Sequence, residues 1–165
     1  MHATIKFLLA VLLIGLVKAC NQRLVPDCDT CDTFTCLIDG KRFLPAGGWK
    51  TTNLSAFTYQ DKRIDIGANG DGKQYVGLSL RLTDTLQVGD YIINEYNPGW
   101  GTCISAGTEY KTDAAHQGRL TISKITFGDI PLVEGSFSFV CVNASTGQRI
   151  SISDGSFRIR FGRYK

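Results

Sequence analysis

The sequence predicts an all-β domain, an antiparallel β-sandwich or closed β-barrel of about ten short strands, and three observations lead there. The C-terminal block alternates with a period of two: Phe137, Phe139 and Cys141 share one face, and Ser136, Ser138 and Val140 share the other. Runs of this kind are punctuated by Asp39-Gly40, Asn69-Gly70 and Asp154-Gly155, residues that accept the positive φ of tight turns. No window carries the 3.6-residue apolar spacing of an amphipathic helix over ten or more residues.

The chain begins with what reads as a secretory leader, residues 1–19. Lys6 precedes the apolar run from Phe7 to Val17, which Lys18 ends, and that run falls short of the about 20 apolar residues that a transmembrane helix needs. Val17-Lys18-Ala19-Cys20 resembles a bacterial lipobox, in which the thiol takes a diacylglyceryl group and the leader is cut just before it. Lys18 departs from that pattern, since a small residue is usual there. On this reading Cys20 is lipidated, the lipid bilayer is a partner, and the protein is exported and anchored to the outer membrane of the cell envelope. Cleavage after Ala19 with Cys20 left as a thiol or in a disulfide is the alternative. Residues 20–32 are polar, contain Pro26 and hold no period, as a tether would. Fully extended, at about 3.3–3.6 Å per residue, they reach roughly 40 Å.

Residues 33–165 form the single domain. Thr33 to Phe43 reads as a strand, an Asp-Gly turn and a return strand, with Cys36 facing Phe43. Ala46-Gly47-Gly48-Trp49 breaks the chain before short strands around Phe57–Tyr59 and Ile64–Ile66. Asn69-Gly70-Asp71-Gly72 then turns it into Tyr75–Leu82, with Val76, Leu78, Leu80 and Leu82 on one face and Tyr75, Gly77, Ser79 and Arg81 on the other. Val88-Gly89-Asp90 is a turn into a strand at Tyr91–Tyr96. Asn97-Pro98-Gly99-Trp100-Gly101 reads as a loop, because Pro and Gly at this density interrupt a ladder. Cys103–Ser105 and Thr108–Tyr110 offer a hairpin, and Gly118–Ile125 leads through a Gly-Asp turn to the C-terminal block. There Asp154-Gly155 is expected to close a two-residue hairpin in which Ile152 faces Phe157 and Ile150 faces Ile159, leaving Arg158 and Arg160 outside. A bulge in one longer strand would change the phase in the same way.

Charge narrows the partners. The 165 residues carry a formal charge of +3, two units of which, Lys6 and Lys18, belong to the leader. What remains makes no field that would gather a polyanion, and Arg158, Arg160 and Arg163 alternate along a strand as a solvated face does, so no nucleic acid is expected.

With Cys20 set aside, Cys28, Cys31, Cys36, Cys103 and Cys141 are disulfide or thiol candidates. Their odd number leaves at least one unpaired within the chain. Cys28-Asp29-Thr30-Cys31 has the C-x-x-C spacing of zinc and redox sites, and a thiol or metal-binding protein using Cys28 and Cys31 is one alternative reading. A zinc site would normally show a second close pair, and a redox site a helix behind Cys31; the sequence offers neither. Cys36 and Cys141 keep phase with Phe34 and Phe139, as core residues do. No metal and no cofactor is expected.

An enzyme would have to use His116, the only histidine after the leader, in the polar loop Thr112–Gln117. No serine or cysteine stands in a nucleophile motif such as G-x-S-x-G, so a hydrolase is the alternative and a non-catalytic module the expectation. Asp39, Asp71, Asp90, Asp129 and Asp154 sit where turns call for Asp. Gly67 to Gly72 has the content of a calcium loop but lacks an acid at its first position and a glutamate at its twelfth. The binding candidates are Trp49 and Trp100, each beside glycine. Aromatic faces displayed on a β scaffold stack against glycan rings or anchor protein ligands, whereas folded down they would plug the end of the core.

The opening Phe34-x-Cys36-x-Ile38-Asp39-Gly40-Lys41-x-Phe43, the middle Gly89-Asp90-Tyr91, the run Gly118–Ser123 and the closing Val133-Glu134-Gly135-Ser136-Phe137-Ser138-Phe139 with Ile150–Phe157 resemble a family of small Bacteroidota lipoproteins built on a domain of unknown function. The similarity covers nearly all of residues 33–161. It implies an all-β fold and an anchored N-terminus and is silent on activity.

Overall fold

The structure, a computed structural model, describes residues 32–46, 54–95 and 98–164; the leader, Cys20, Cys28, Cys31 and Trp49 lie outside the described residues. Twelve strands follow one another: β1 (Thr33–Ile38), β2 (Lys41–Phe43), β3 (Leu54–Tyr59), β4 (Arg63–Gly70), β5 (Gln74–Arg81), β6 (Gly89–Asn94), β7 (Gly99–Ser105), β8 (Thr108–Lys111), β9 (Gly118–Thr126), β10 (Leu132–Val142), β11 (Arg149–Arg160) and β12 (Gly162–Tyr164). No helix occurs among the described residues. The sheet runs β12-β3-β4-β5-β7-β6-β9-β10-β11-β1-β2, and β8 pairs with both β7 and β10. That double pairing closes β7, β6, β9, β10 and β8 into a five-stranded barrel, with the remaining strands outside it. The choice between sandwich and barrel, open in the sequence, is thus resolved by a short strand that touches two non-consecutive neighbours.

Alternation within each strand sends one set of side chains into one contiguous core. Phe34, Phe43, Ile64, Ile66, Val76, Leu80, Ile93, Leu120, Ile122, Ile152 and Ile159 are all buried there. Phe137 sits at its aromatic centre, with ring centroids 5.2 Å from Phe34, 5.9 Å from Phe139 and 6.2 Å from Phe157. Offset and tilted pairs at such separations add attraction beyond the area they bury.

Most turns fall where the sequence placed them. Asp39 and Gly40 take φ of 48° and 74°, the geometry of a two-residue hairpin, and Cys36 faces Phe43 across it. The β4–β5 turn comes two residues later than expected, at Asp71 to Lys73, and Asn69 and Gly70 end strand β4 instead of turning the chain. Ala106 and Gly107, at φ of 50° and 83°, close the β7–β8 hairpin.

Three expectations are corrected. Asp154-Gly155 does not fold the chain back: β11 runs unbroken, and the phase changes at a bulge. Phe137 faces Gly155 while Phe139 faces Ile152, and Thr35 faces Ser156 while Leu37 faces Ser153, so β11 carries one extra residue against both neighbours. Asp154 absorbs it at φ 49°, and Gly155 lies beneath Phe137, where a methyl would come within 2.5 Å of the ring. Because β1 and β10 pair with both halves, the strand has to continue. The second correction is at Gly99-Trp100-Gly101, which begin strand β7 rather than lie in a loop. Its glycines permit close approach: a side-chain carbon on Gly101 would run into the Phe139 ring. Pro98 stands just before the strand, and its carbonyl accepts the Arg81 N–H at 2.7 Å.

The third correction is Asp90, which lies in β6 and not in a turn. It faces Thr121 across the β6–β9 ladder, accepts the Thr121 hydroxyl at 2.6 Å and forms a two-point contact with Arg119, at 3.2 and 2.6 Å. Those hydrogen bonds from Arg119 and Thr121 hold the Asp90 carboxyl below its ordinary range. A carboxyl whose folded value is depressed stabilises fully above the unfolded value, and the contribution fades as pH falls through the folded one. Urea midpoints followed downward from about pH 6 are therefore expected to fall less for Asp90→Asn than for the parent, the two curves converging at the acid end. Parallel curves would show that the contact carries no linkage.

Candidate functional site

The outward face of β3, β4, β5 and β7 is where aromatic and charged side chains meet. Register aligns them in rows. Phe57, Asp65, Ser79 and Trp100 stand opposite one another across the four strands, and Tyr59, Arg63 and Arg81 form the row beside them. The same alternation that buries Ile64, Ile66, Leu78 and Leu80 turns these outward.

The Arg63 guanidinium organises the face. Its central carbon lies 5.3 Å from the Tyr59 ring centroid and 5.6 Å from that of Trp100, so one cation serves two rings. Asp65 fixes it from the next position on the strand, its two carboxylate oxygens 3.2 and 3.0 Å from Arg63 Nε. Ser79 donates to Asp65 at 2.5 Å from β5. Tyr75 completes the surface by lying across Gly67 and Gly77, since side-chain carbons on either glycine would run into its phenol. Burial first, and the nearby Asp65 charge second, raise the Tyr75 hydroxyl above its ordinary pKa. Tyr59 is 44 % exposed and Phe57 37 %. An arginine set over two aromatic rings and anchored by a carboxylate has little rotamer freedom left.

Of the two tryptophans predicted as binding candidates, Trp100 therefore stands on this face, on a strand and half-buried, not on a loop tip. Trp49 lies outside the described residues. Tyr59, Arg63 and Asp65 were not singled out by sequence. The signal was present in the out-facing phase of β3 and β4, but only the inter-strand register shows that they converge with Trp100.

His116 occupies the loop after β8. Its Nδ1 lies 2.7 Å from Asp113 Oδ1, which also accepts the N–H groups of Ala115 at 3.0 Å and His116 at 2.8 Å. The side-chain bond from His116 is the main cause holding the Asp113 carboxyl below its usual range. Asp113 thus closes a turn upon itself, and its side chain is 37 % exposed. Beside it, the buried Thr112 hydroxyl donates to the Asn94 carbonyl and accepts the Gly101 N–H at 3.0 Å. Among the described residues, no serine or cysteine hydrogen-bonds the His116 ring.

Cys36, Cys103 and Cys141 are free thiols in the core. Burial pushes Cys36 up to about 12 and Cys103 up to about 11, and raises Cys141 further, so none supplies a thiolate at neutral pH. Among the described residues no three His, Cys, Asp or Glu side chains converge as a metal site would need.

A closed five-stranded barrel wrapped by outer strands, with an aromatic and arginine array on one sheet face, defines an all-β scaffold domain. Residues 46–159 match the family described as a domain of unknown function (DUF6252), and the chain belongs to that family. The match begins after the β1–β2 hairpin, although β1 is paired with β11 inside the matched region. No curated protein and no solved structure matches the chain.

Proposed function

We propose that the chain is an exported lipoprotein of the Bacteroidota type, anchored in the outer membrane through an acylated Cys20, whose β domain is a non-catalytic binding module. The observation that carries the binding role is the Tyr59–Arg63–Trp100 array, where one guanidinium lies over two rings on a sheet face and is locked by Asp65. Charged and aromatic side chains fixed in this way fit recognition of a ligand from the surface. The anchor is supported by Val17-Lys18-Ala19-Cys20 after an apolar run of secretory length. Several acyl chains give stable attachment, since each buried methylene contributes about 0.8 kcal/mol.

The rival reading, a hydrolase, draws on the His116–Asp113 contact. Asp113 is spent on a turn, and the described thiols are buried and protonated, which favours the binding module.

The deciding experiment is the intact mass of the protein extracted from native membranes, beside a Cys20→Ala variant. A chain lacking residues 1–19 and heavier by acyl groups, with the variant recovered in the soluble fraction, is the expected result. An unacylated mass removes the anchor, and hydrolytic activity abolished by His116→Ala removes the non-catalytic reading.

A further inference from the structure

We infer that the ligand of this face is an acidic glycan, a chain of sugar rings bearing carboxylates, seated on the Tyr59–Arg63–Trp100 array with a carboxylate on Arg81; this rests on the binding-module reading. Arg81 is the unexplained residue. It stands directly opposite Arg63 across the β4–β5 ladder, a like-charge pair of the kind that sheets avoid. Asp65, the carboxylate of this surface, is already engaged by Arg63 and Ser79. Arg81 is exposed and makes no ion pair among the described residues. Among the described residues, Arg81 is therefore a cation without a carboxylate partner, in the row beside Trp100.

The chemistry of a ligand follows from that pairing. Aromatic rings attract the C–H faces of sugars, and a guanidinium offers a carboxylate two parallel N–H donors. A neutral glycan would leave Arg81 without a role. Nucleic acid would require more than two cations set against one carboxylate. From Phe57 to Trp100 the row crosses three inter-strand steps of about 4.8 Å each, roughly 14 Å in all, which suits a short oligosaccharide.

The test uses the full-length protein solubilised from membranes, carrying Trp49→Phe so that Trp100 is the sole indole of the two in the sequence. The probes are paired by charge: tetragalacturonate with its methyl ester, and sialyllactose with lactose. Indole emission and calorimetry are expected to show an acidic member bound about tenfold or more tighter than its neutral counterpart, and weakened by salt. Arg81→Gln is expected to bring the acidic member down to the affinity of its neutral counterpart. Its side chain is exposed and its removal relieves the like-charge pair with Arg63, so the variant should unfold at or slightly above the parent temperature. Equal binding of both members, or a preference that survives Arg81→Gln, overturns the acidic-glycan inference and leaves the binding module standing. No binding to any sugar also overturns the inference. The module itself falls only if, in addition, a photo-crosslinker at position 81 captures no partner in the native envelope.

Discussion

Phe137→Ala is expected to cost about 3–5 kcal/mol of folding stability, the range for emptying a buried aromatic site. The ring is 4 % exposed, contacts Phe34, Phe139 and Phe157, and roofs the bulge at Gly155. Its removal opens a cavity among the rings of β1, β10 and β11, and the backbone beneath, held by pairing to β1 and β10, cannot collapse into it. Since a domain typically holds about 5–15 kcal/mol in total, such a loss leaves a molecule near the edge of folding. Urea unfolding checks it: the midpoint should drop at nearly constant slope, and Phe137→Leu should recover much of the loss. A change below about 1 kcal/mol would mean that the ring is not packed as described.

The second large effect comes from adding an atom. In Gly135→Ala the new methyl would fall on the Thr121 carbonyl oxygen of β9 and within 2.6 Å of the Phe157 ring. Neither can yield easily, because the first is backbone in a paired strand and the second is core. The register between β9 and β10 already shifts at Glu134/Gly135, so the glycine is where the irregularity brings the two chains closest. Overpacking costs about 1–3 kcal/mol, occasionally more, and the upper end is expected here. Gly128→Ala is the control, since nothing lies within 4 Å of the position its methyl would take. Thermal unfolding should separate the two clearly, and equal midpoints would contradict the close approach.

What the sequence disclosed, and what it withheld, follow one physical division. Alternation and turn chemistry are local, so β1–β2 with Cys36 opposite Phe43, the strand with Val76, Leu78 and Leu80 inward, and the β7–β8 hairpin were all legible. The errors lie where a distant neighbour overrides the local signal. Gly99 and Gly101 carry the marks of a loop, yet Ser79 and Phe139 approach so closely that only glycine fits a strand there. Asp154-Gly155 has the residues of a hairpin, and pairing to β1 and β10 makes it a bulge instead. Barrel closure was invisible for the same reason, since it depends on the single pairing of Val142 with Lys111. The candidate site was half visible: Trp100 is conspicuous by its type, whereas Arg63, Asp65 and Arg81 are ordinary surface charges until register brings them together.

The pairing of β1 with β11 also sets the order in which this chain can fold. Thr35 meets Ser156 across a separation of 121 residues, and Phe34 packs on Phe137. A chain emerging N-terminus first thus presents the β1–β2 hairpin long before β11 exists, and the five-stranded ring stays open until β10 arrives to meet β8. Pairings of such sequence distance are slow to form because loop closure precedes any reward. The domain is therefore built to remain unfinished through most of its synthesis and to complete itself only after residues near Arg158 are free.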